Sequence, residues 1–196
     1  MLLVTYATNE RRKSKGTLWT RRTDIGRHRS SQASALRNRR GGFVAGKAYV
    51  LRRATVDDIP ALCEARKKQL ADEGLAQDVR IDDELTAYFE GSLVDGILVE
   101  WVAEDDGDIV ATAAIAFMPF PPTYANPIGT RGYITNMYTV PSHRGRGIAS
   151  QLLRGLLDEA RRKGVRKLFL CASEMGKPVY QRQGFCENDG WMELDL

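Results

Sequence analysis

The sequence predicts an α/β fold in which helices cover a mixed β-sheet. Short runs of β-branched and aromatic residues alternate with stretches of helical period along most of the chain. Residues 105–108, which read DDGD, separate two apolar runs over 97–104 and 109–117, as in a tight β-hairpin. Residues 133–157 pass from a strand-like pattern through a glycine-containing loop to a helical period. Together these features favour one sheet with helices packed against it.

One strand and two helices are predicted before the hairpin. Residues 48–53 have the pattern of a strand, and Thr55 or Asp57 caps a helix that ends just before Gly74. A second helix is predicted over 82–93. Its inward-facing residues are expected to be Leu85, Tyr88 and Phe89.

The elements after the hairpin begin with a strand, a loop and a long helix. Pro141 ends a strand over 133–140, and the helix runs from Ile148 to a glycine end at Gly164. The remaining predicted elements are a strand over 167–172, a short helix over 178–183 and a final strand over 190–196. The predicted order is therefore β-α-α-β-β-β-α-β-α-β.

The N-terminal region differs from the rest of the chain in charge. The protein has 196 residues and a formal net charge of +4. Within 1–47, many lysines and arginines stand against two acids, Glu10 and Asp24, and no apolar period is sustained. We expect a basic, disordered N-terminal extension over 1–47 before an acidic domain over 48–196. The alternatives are a start codon placed too far upstream, a transit peptide and a nucleic-acid-binding arm.

The number and spacing of the cysteine, histidine and apolar residues argue against several classes of protein. The three cysteines lack disulfide-like or metal-like spacing, so we expect reduced thiols and a cytoplasmic protein. Cys171 is expected to be a buried thiol in a strand. Two histidines are too few to support a metal site. No window approaches the ~20 apolar residues of a membrane span, so no membrane partner is expected.

The loop before the long helix has the chemistry of an anion site. Backbone N–H groups in the first turn of a helix have no intrahelical partner, and the helix dipole adds partial positive charge there. Gly145 and Gly147 permit positive φ, while Arg144 and Arg146 add positive charge. From the loop alone, an ordinary turn with solvated arginines remains the alternative.

Two motifs resemble those of a known enzyme family. Residues 144–149, RGRGIA, resemble the Arg/Gln-x-x-Gly-x-Gly/Ala motif of the GNAT superfamily of N-acetyltransferases. Residues 180–185, YQRQGF, look like that family's Tyr-x-x-x-Gly-Phe. The resemblance runs from about Tyr49 to the C-terminus. It implies a GNAT-like fold, an N-acetyltransferase domain over 48–196 and acetyl-CoA as the acetyl donor.

The resemblance also implies a set of cofactor-binding residues. In the family, the loop amides hold the diphosphate of acetyl-CoA, and the backbone of the preceding strand pairs with the pantetheine arm. Ser173 stands where many members carry an asparagine that contacts the cofactor. The predicted cofactor-binding residues are Met137, Tyr138, Thr139, Val140, Arg144, Gly145, Arg146, Gly147, Ile148, Ala149, Ser150 and Ser173.

Tyr180 is the predicted catalytic residue. Acetyl transfer from a thioester to an amine needs a neutral amine, a donor for the oxyanion and a proton for the thiolate, but no metal. A phenol with a pKa near ~10 is protonated at neutral pH. By resemblance, the tyrosine of this motif protonates coenzyme A; simple aromatic packing is the alternative. No general base is assigned among Glu100, Glu104 and Asn136, since water is an alternative proton relay.

We therefore expect direct attack of a primary amine on acetyl-CoA in a ternary complex. The acceptor is a small molecule or a peptide, held by residues 64–88 and by the loop over 119–131. Phe117, Phe120 and Tyr124 either line that site or pack the loop against the domain. A homodimer is possible by resemblance. The other function classes are a non-catalytic acyl-CoA-binding regulatory module and a nucleic-acid-associated protein that binds through the basic arm.

Overall fold

A computed structural model describes residues 49–188 together with Gly190, Met192 and Leu194. The predicted basic arm over 1–47 lies outside the described residues. So does most of the predicted last strand over 190–196, whose three described residues are not in a strand. The described residues hold five strands, four α-helices and two short 3-10 helices.

The strands form one mixed sheet with the spatial order β1-β2-β3-β4-β5. Neighbouring strands are antiparallel from β1 to β4, and β5 runs parallel to β4. The strand bounds are Val50–Arg53 for β1, Leu98–Asp105 for β2, Asp108–Met118 for β3, Arg131–Thr139 for β4 and Leu168–Phe169 for β5. The predicted α/β class with a mixed sheet is therefore confirmed.

Helices pack on both faces of this sheet. The helix bounds are Ile59–Asp72 for α1, Asp82–Val94 for α2, Ile148–Arg162 for α3 and Lys177–Gln181 for α4. Helices α1 and α2 cover one face, where Leu62 and Phe89 pack against Val102 and Ala114. Helix α3 covers the other face with a continuous apolar stripe. The buried apolar residues of that stripe are Ile148, Leu152, Leu153, Leu156, Leu157 and Ala160.

The β2–β3 turn and the end of α1 follow from local sequence. Asp106 and Gly107 both have positive φ, at 52° and 88°, as the two central residues of a type I′ hairpin turn require. Gly74, just beyond α1, has a φ of 82°, which suits glycine in the left-handed region that closes a helix.

The end of the sheet near β5 differs from prediction. A strand was expected over 167–172, but β5 contains only Leu168 and Phe169. After Phe169, which pairs with Tyr133, the chain diverges from β4 and the pairing stops. Cys171 is consequently exposed, so its prediction as a buried strand thiol is wrong. Strand β4 begins at Arg131, a residue that was expected in the preceding loop.

One prediction for α2 is also wrong. Tyr88 was expected to point inward, but 44% of it is exposed. Its ring instead packs edge-on against Phe89, with ring centroids 5.4 Å apart, and Phe89 alone is buried in this helix. The helical period identified the right side of the helix, but Tyr88 lies at its margin.

A buried carboxylate joins α3 to the first two strands. Glu159, 2% exposed, accepts hydrogen bonds from Arg53 Nε at 2.7 Å and from Trp101 Nε1 at 3.2 Å. Arg162 adds an ion pair at 2.7 Å. Burial raises the pKa of this carboxyl, but the bonds from its partners outweigh burial and leave the pKa below its usual value. The ionised carboxylate is thus part of the folded structure.

Candidate active site

The loop between β4 and α3 presents a row of unpaired backbone donors. Gly145 and Gly147 both have a φ of 76°, and the first hydrogen bond of α3 runs from Gln151 N to Gly147 O. Within the described part of the chain, the N–H groups of residues 145–150 donate to no protein acceptor. Consecutive free N–H groups at a helix N-terminus attract an anion such as a phosphate.

The two arginines of this loop contact the protein. Arg144 donates from Nε to Thr139 O at 2.9 Å, and its guanidinium also pairs with Asp72 near the end of α1. Arg146 donates to Ser142 O at 3.0 Å. Both side chains are at least partly solvent-accessible, so they shape the loop and leave positive charge beside the free amides.

A histidine ties the same loop to the β2–β3 hairpin. His143 Nε2 lies 3.0 Å from Asp105 Oδ2, and its Nδ1 lies 2.9 Å from Ser142 Oγ. Because a carboxylate only accepts hydrogen bonds, Nε2–H donates to Asp105. The pair fixes where the turn over 145–150 lies relative to the sheet.

Strand β4 is interrupted by a bulge at Asn136. Between the pairs Thr112↔Tyr138 and Ala114↔Thr135, β4 has one residue more than β3. Asn136 takes a φ of 51°, unusual for a residue other than glycine, and its carbonyl accepts a hydrogen bond from Thr112 Oγ1 at 2.7 Å. The bulge redirects the backbone in the middle of the strand.

Beyond Tyr133, β4 also loses its neighbour on the β5 side. The parallel pairing stops at Tyr133↔Phe169, and no described strand pairs with that edge of residues 134–139. A strand edge without a partner exposes backbone donors and acceptors to a ligand. The bulge and open edge of β4 are thus followed along the chain by the turn whose amides are free.

A buried carboxylate reaches the bulge from two strands away. Glu100, in β2, is 2% exposed, and its Oε2 accepts a hydrogen bond from Asn136 Nδ2 at 3.3 Å. Ala114 lies between them in the register of the sheet, and its small side chain leaves room for the contact. Burial raises the pKa of Glu100 to about 8, opposed by the hydrogen bond from Asn136 and by the charge of Arg66.

Tyr180 lies in α4, close to the same end of the sheet. It is 8% exposed, its ring packs edge-on against Phe185 at 6.0 Å, and its hydroxyl forms no hydrogen bond within the described residues. Burial, followed by the electrostatic influence of Glu73, Tyr133 and Cys171, raises its pKa to about 12. The phenol is therefore protonated at neutral pH.

Two further predicted cofactor-binding residues, Val140 and Ser173, already use hydrogen-bonding groups within the protein. Both backbone groups of Val140 are used within the protein, since its N–H donates to Val110 and its carbonyl accepts from His143. Ser173 is exposed, and its Oγ accepts from Gly176 N at 3.2 Å in the turn before α4. Cofactor contacts by these two residues remain predictions.

The aromatic residues of the predicted acceptor region are separated. Phe117 is buried on the α3 face, and Tyr124 is fully exposed. Phe120 instead packs edge-on against Phe169, with ring centroids 6.2 Å apart, on the face covered by α1. Of the other two base candidates, Glu104 is hydrogen-bonded to Arg52 at 2.8 Å, and Asn136 forms the bulge.

Sequence reasoning missed the pairing of Glu100 with Asn136. Glu100 occupies an inward position of β2, between Leu98 and Val102, where the alternation of the strand demands an apolar residue. A charged residue at such a position is an available sequence signal. The partner was not available, because it comes from a strand 36 residues away.

Two kinds of feature are absent from the described residues. Between residues 49 and 188, no helix is long and apolar enough to cross a bilayer. In the same part of the chain, no group of three or more histidine, cysteine and acidic side chains is placed to hold a metal ion.

Comparison with known proteins identifies relatives of this chain. A model of the Acetyltransferase (GNAT) family matches residues 61–185. A glucosamine 6-phosphate N-acetyltransferase of Trypanosoma brucei brucei is 32% identical over 90 residues, which are 46% of this chain and 59% of that enzyme. The chain thus spans less than two thirds of that relative. YjgM of Escherichia coli K12, an uncharacterised N-acetyltransferase, is 26% identical over 72% of this chain and 84% of its own length.

Solved structures of acetyltransferases are also similar to this chain. A predicted acetyltransferase from Clostridium acetobutylicum, crystallised with acetyl-CoA, is 49% identical and has a TM-score of 0.74. The match covers 76% of this chain and 96% of that one. A GCN5-related N-acetyltransferase from Ralstonia eutropha JMP134 is 28% identical with a TM-score of 0.70, over 76% of this chain and 99% of its own.

Proposed function

Because this chain belongs to the GNAT family of acetyltransferases, we propose that it moves the acetyl group of acetyl-CoA to a primary amine of a small acceptor. The observation that carries the proposal is the succession of an open β4 edge, a bulge and a turn of free amides over 145–150. The domain over 48–196 holds this site, and the basic segment over 1–47 is an extension of it.

Acetyl-CoA would be held by backbone groups more than by side chains. The free amides of residues 145–150 bind the diphosphate, and the open edge of β4 over 137–139 pairs with the pantetheine arm. Acetyl-CoA supplies the thioester whose carbonyl carbon the amine attacks. The contact between His143 and Asp105 fixes the position of the free amides relative to β4, so that one ligand can reach both.

Tyr180 is the proposed general acid. Its raised pKa keeps the phenol protonated, and its hydroxyl has no hydrogen bond to a described protein group that would compete. A proton on this oxygen can pass to the departing thiolate of coenzyme A. The transfer then completes in one ternary complex without a covalent enzyme intermediate.

Glu100 is the proposed general base, a role that the sequence did not assign. The carboxylate lies at the bulge of β4, on the face covered by α1 and α2, and a pKa near 8 makes it a competent base at mildly alkaline pH. Because the side chain is buried, the proton of the attacking amine reaches it through a water molecule. Asn136 holds the carboxylate in the orientation that this relay needs.

The experiment that tests the function has two steps. Isothermal titration of acetyl-CoA into the full-length protein measures cofactor binding, and release of free thiol with a panel of amines measures transfer. If Glu100 is the base, kcat/KM rises with pH to a plateau above about 8, and Glu100→Gln removes that rise. Binding without any amine-dependent thiol release would instead favour the alternative of a non-catalytic acyl-CoA-binding module.

Two proposals concern the whole protein. Nucleic-acid binding through the basic arm would show as steeply salt-dependent affinity that disappears when residues 1–47 are removed. A homodimer would show in the molar mass measured by light scattering. A cytoplasmic location, expected from the cysteines, can be followed by fractionation of cells that express the full chain.

A further inference from the structure

Arg131, the first residue of β4, carries a guanidinium that pairs with no carboxylate among the described residues. Its Nε is buried and forms no hydrogen bond with any residue that the structure describes. The guanidinium lies over the ring of Phe120, with its carbon 4.3 Å from the ring centroid. A buried donor without an acceptor is costly, so such a group indicates a missing ligand.

The position of this cation is fixed by the loop before β4. Gly129 has a φ of 71°, and a Cβ there would lie 2.2 Å from the carbonyl oxygen of Phe120. The loop is further closed by a hydrogen bond from Asn126 Nδ2 to Thr130 O at 3.2 Å. The closed loop therefore holds Phe120 in place. The contact between its ring and the guanidinium of Arg131 is part of the folded structure.

A row of aromatic rings leads from this cation towards Tyr180, the proposed general acid. Phe120 packs on Phe169, and Phe169 packs on Tyr133 with ring centroids 5.0 Å apart. Tyr133 in turn lies close enough to Tyr180 to influence its titration. Arg131 and Tyr133 are two residues apart in one strand, so their side chains lie on the same face of the sheet.

We propose that Arg131 binds a carboxylate or phosphate group of the acceptor, so that the substrate is an amine carrying an anionic group. The inference rests on the proposed acetyl transfer and specifies its substrate class. A guanidinium recognises either anion through paired N–H donors, and the aromatic row covers the apolar part of the acceptor. The amine end then lies beside Tyr133 and Tyr180.

The geometry also limits the length of the acceptor. Residues two apart in a strand are separated by roughly 7 Å, and their side chains leave the sheet in the same direction. An acceptor that touches both ends therefore separates its amine from its anion by about 7 Å, or about five methylene groups. An α-amino acid is too short to make both contacts.

Matched acceptors test the subsite on the full-length protein. One series pairs ω-amino carboxylates of increasing length with their uncharged amides, and a second pairs aminoalkyl phosphates with the corresponding amino alcohols. We expect kcat/KM to favour the charged member by about 10- to 100-fold at the optimal length. The series that shows the larger preference distinguishes carboxylate from phosphate.

Substitution of Arg131 assigns the preference to this residue. Arg131→Gln removes the charge and should bring each pair to within about threefold, while Arg131→Lys retains part of the preference. Arg154→Gln, at an exposed position on α3, is the matched control and should change nothing. Equal rates for both members in the wild type, or a preference that survives in Arg131→Gln, would overturn the proposal.

Binding separates failure of the subsite from failure of the proposed function. If no amine is acetylated, the same pairs are titrated into the protein in the presence of coenzyme A. Tighter binding of the charged member that disappears in Arg131→Gln supports the anion subsite without acetyl transfer. Equal binding of both members overturns the subsite as well.

Discussion

Replacing Glu100 with glutamine should make the stability of this protein much less sensitive to alkaline pH. Glutamine has nearly the same shape, and its carbonyl oxygen can still accept the hydrogen bond from Asn136. It differs in remaining neutral at every pH. The substitution therefore removes one ionisation from the interior and leaves the packing around it nearly unchanged.

The size of the effect follows from the pKa of Glu100. Burial raises it from 4.5 to about 8, so the folded protein holds this proton more tightly than the unfolded chain does. The stability gained from the protonated carboxyl is complete below pH 4.5 and is lost as the pH rises through 8. With ~1.4 kcal/mol for each unit, the loss amounts to about 5 kcal/mol at pH 9. Such a change corresponds to a shift in Tm of about 10 °C or more.

Urea unfolding followed by circular dichroism at pH 5, 7 and 9 measures this difference directly. The free energies of unfolding of the wild type and Glu100→Gln should nearly coincide at pH 5, with the variant several kcal/mol more stable at pH 9. Glu90→Gln, which removes an exposed carboxylate of α2, is the control for the change in net charge. If the wild type and Glu100→Gln lose stability in parallel from pH 5 to pH 9, the carboxyl is not the buried, proton-retaining group described above.

Three further substitutions test the site and the fold. Tyr180→Phe should lower kcat by at least about tenfold, because general acid catalysis is lost, while acetyl-CoA affinity in titration changes less than threefold; normal turnover would remove Tyr180 from the mechanism. Gly147→Asp should weaken acetyl-CoA binding by about 100-fold, since it sets a negative charge against the free amides, and unchanged affinity would contradict the diphosphate site. Glu159→Gln should destabilise the fold by about 2 to 4 kcal/mol at pH 7, less than a fully buried pair because Arg53 and Arg162 are half exposed. The pKa of Glu159 is lowered from 4.5, so the stabilisation by its carboxylate is present above pH 4.5 and is lost as the pH falls through the lowered pKa. If Glu159→Gln is less stable than the wild type by as much at pH 3 as at pH 7, the ion-pair role is contradicted.

Glu100 and Glu159 illustrate how tertiary structure decides the behaviour of a carboxylate. Both are 2% exposed. Glu159 receives hydrogen bonds from two arginines and a tryptophan and stays ionised, whereas Glu100 receives a single bond from an amide and retains its proton. Their expected effects on stability therefore have opposite dependence on pH. The contacts that distinguish them come largely from segments distant in sequence, Arg53 and Trp101 for Glu159 and Asn136 for Glu100.

Features that depend on neighbouring residues were determined by the sequence alone. The Asp-Gly hairpin turn, the apolar stripe of α3 and the glycine-containing loop before it all follow from local backbone and side-chain preferences. The two motifs within this frame were enough to indicate the family. Strand ends were less well predicted, because the length of β5 depends on where β4 diverges from it.

Only the tertiary structure decided which side chains meet across the sheet. Glu100 reaches Asn136 because β3 places a small alanine between them, and Arg131 meets Phe120 because a glycine turn folds the loop back onto β4. Such contacts depend on strand register and loop closure, which arise when segments distant in sequence pack together. The sequence therefore indicated the family and the glycine turn before α3, while the proposed base and the proposed anion subsite emerged from the packing of distant segments.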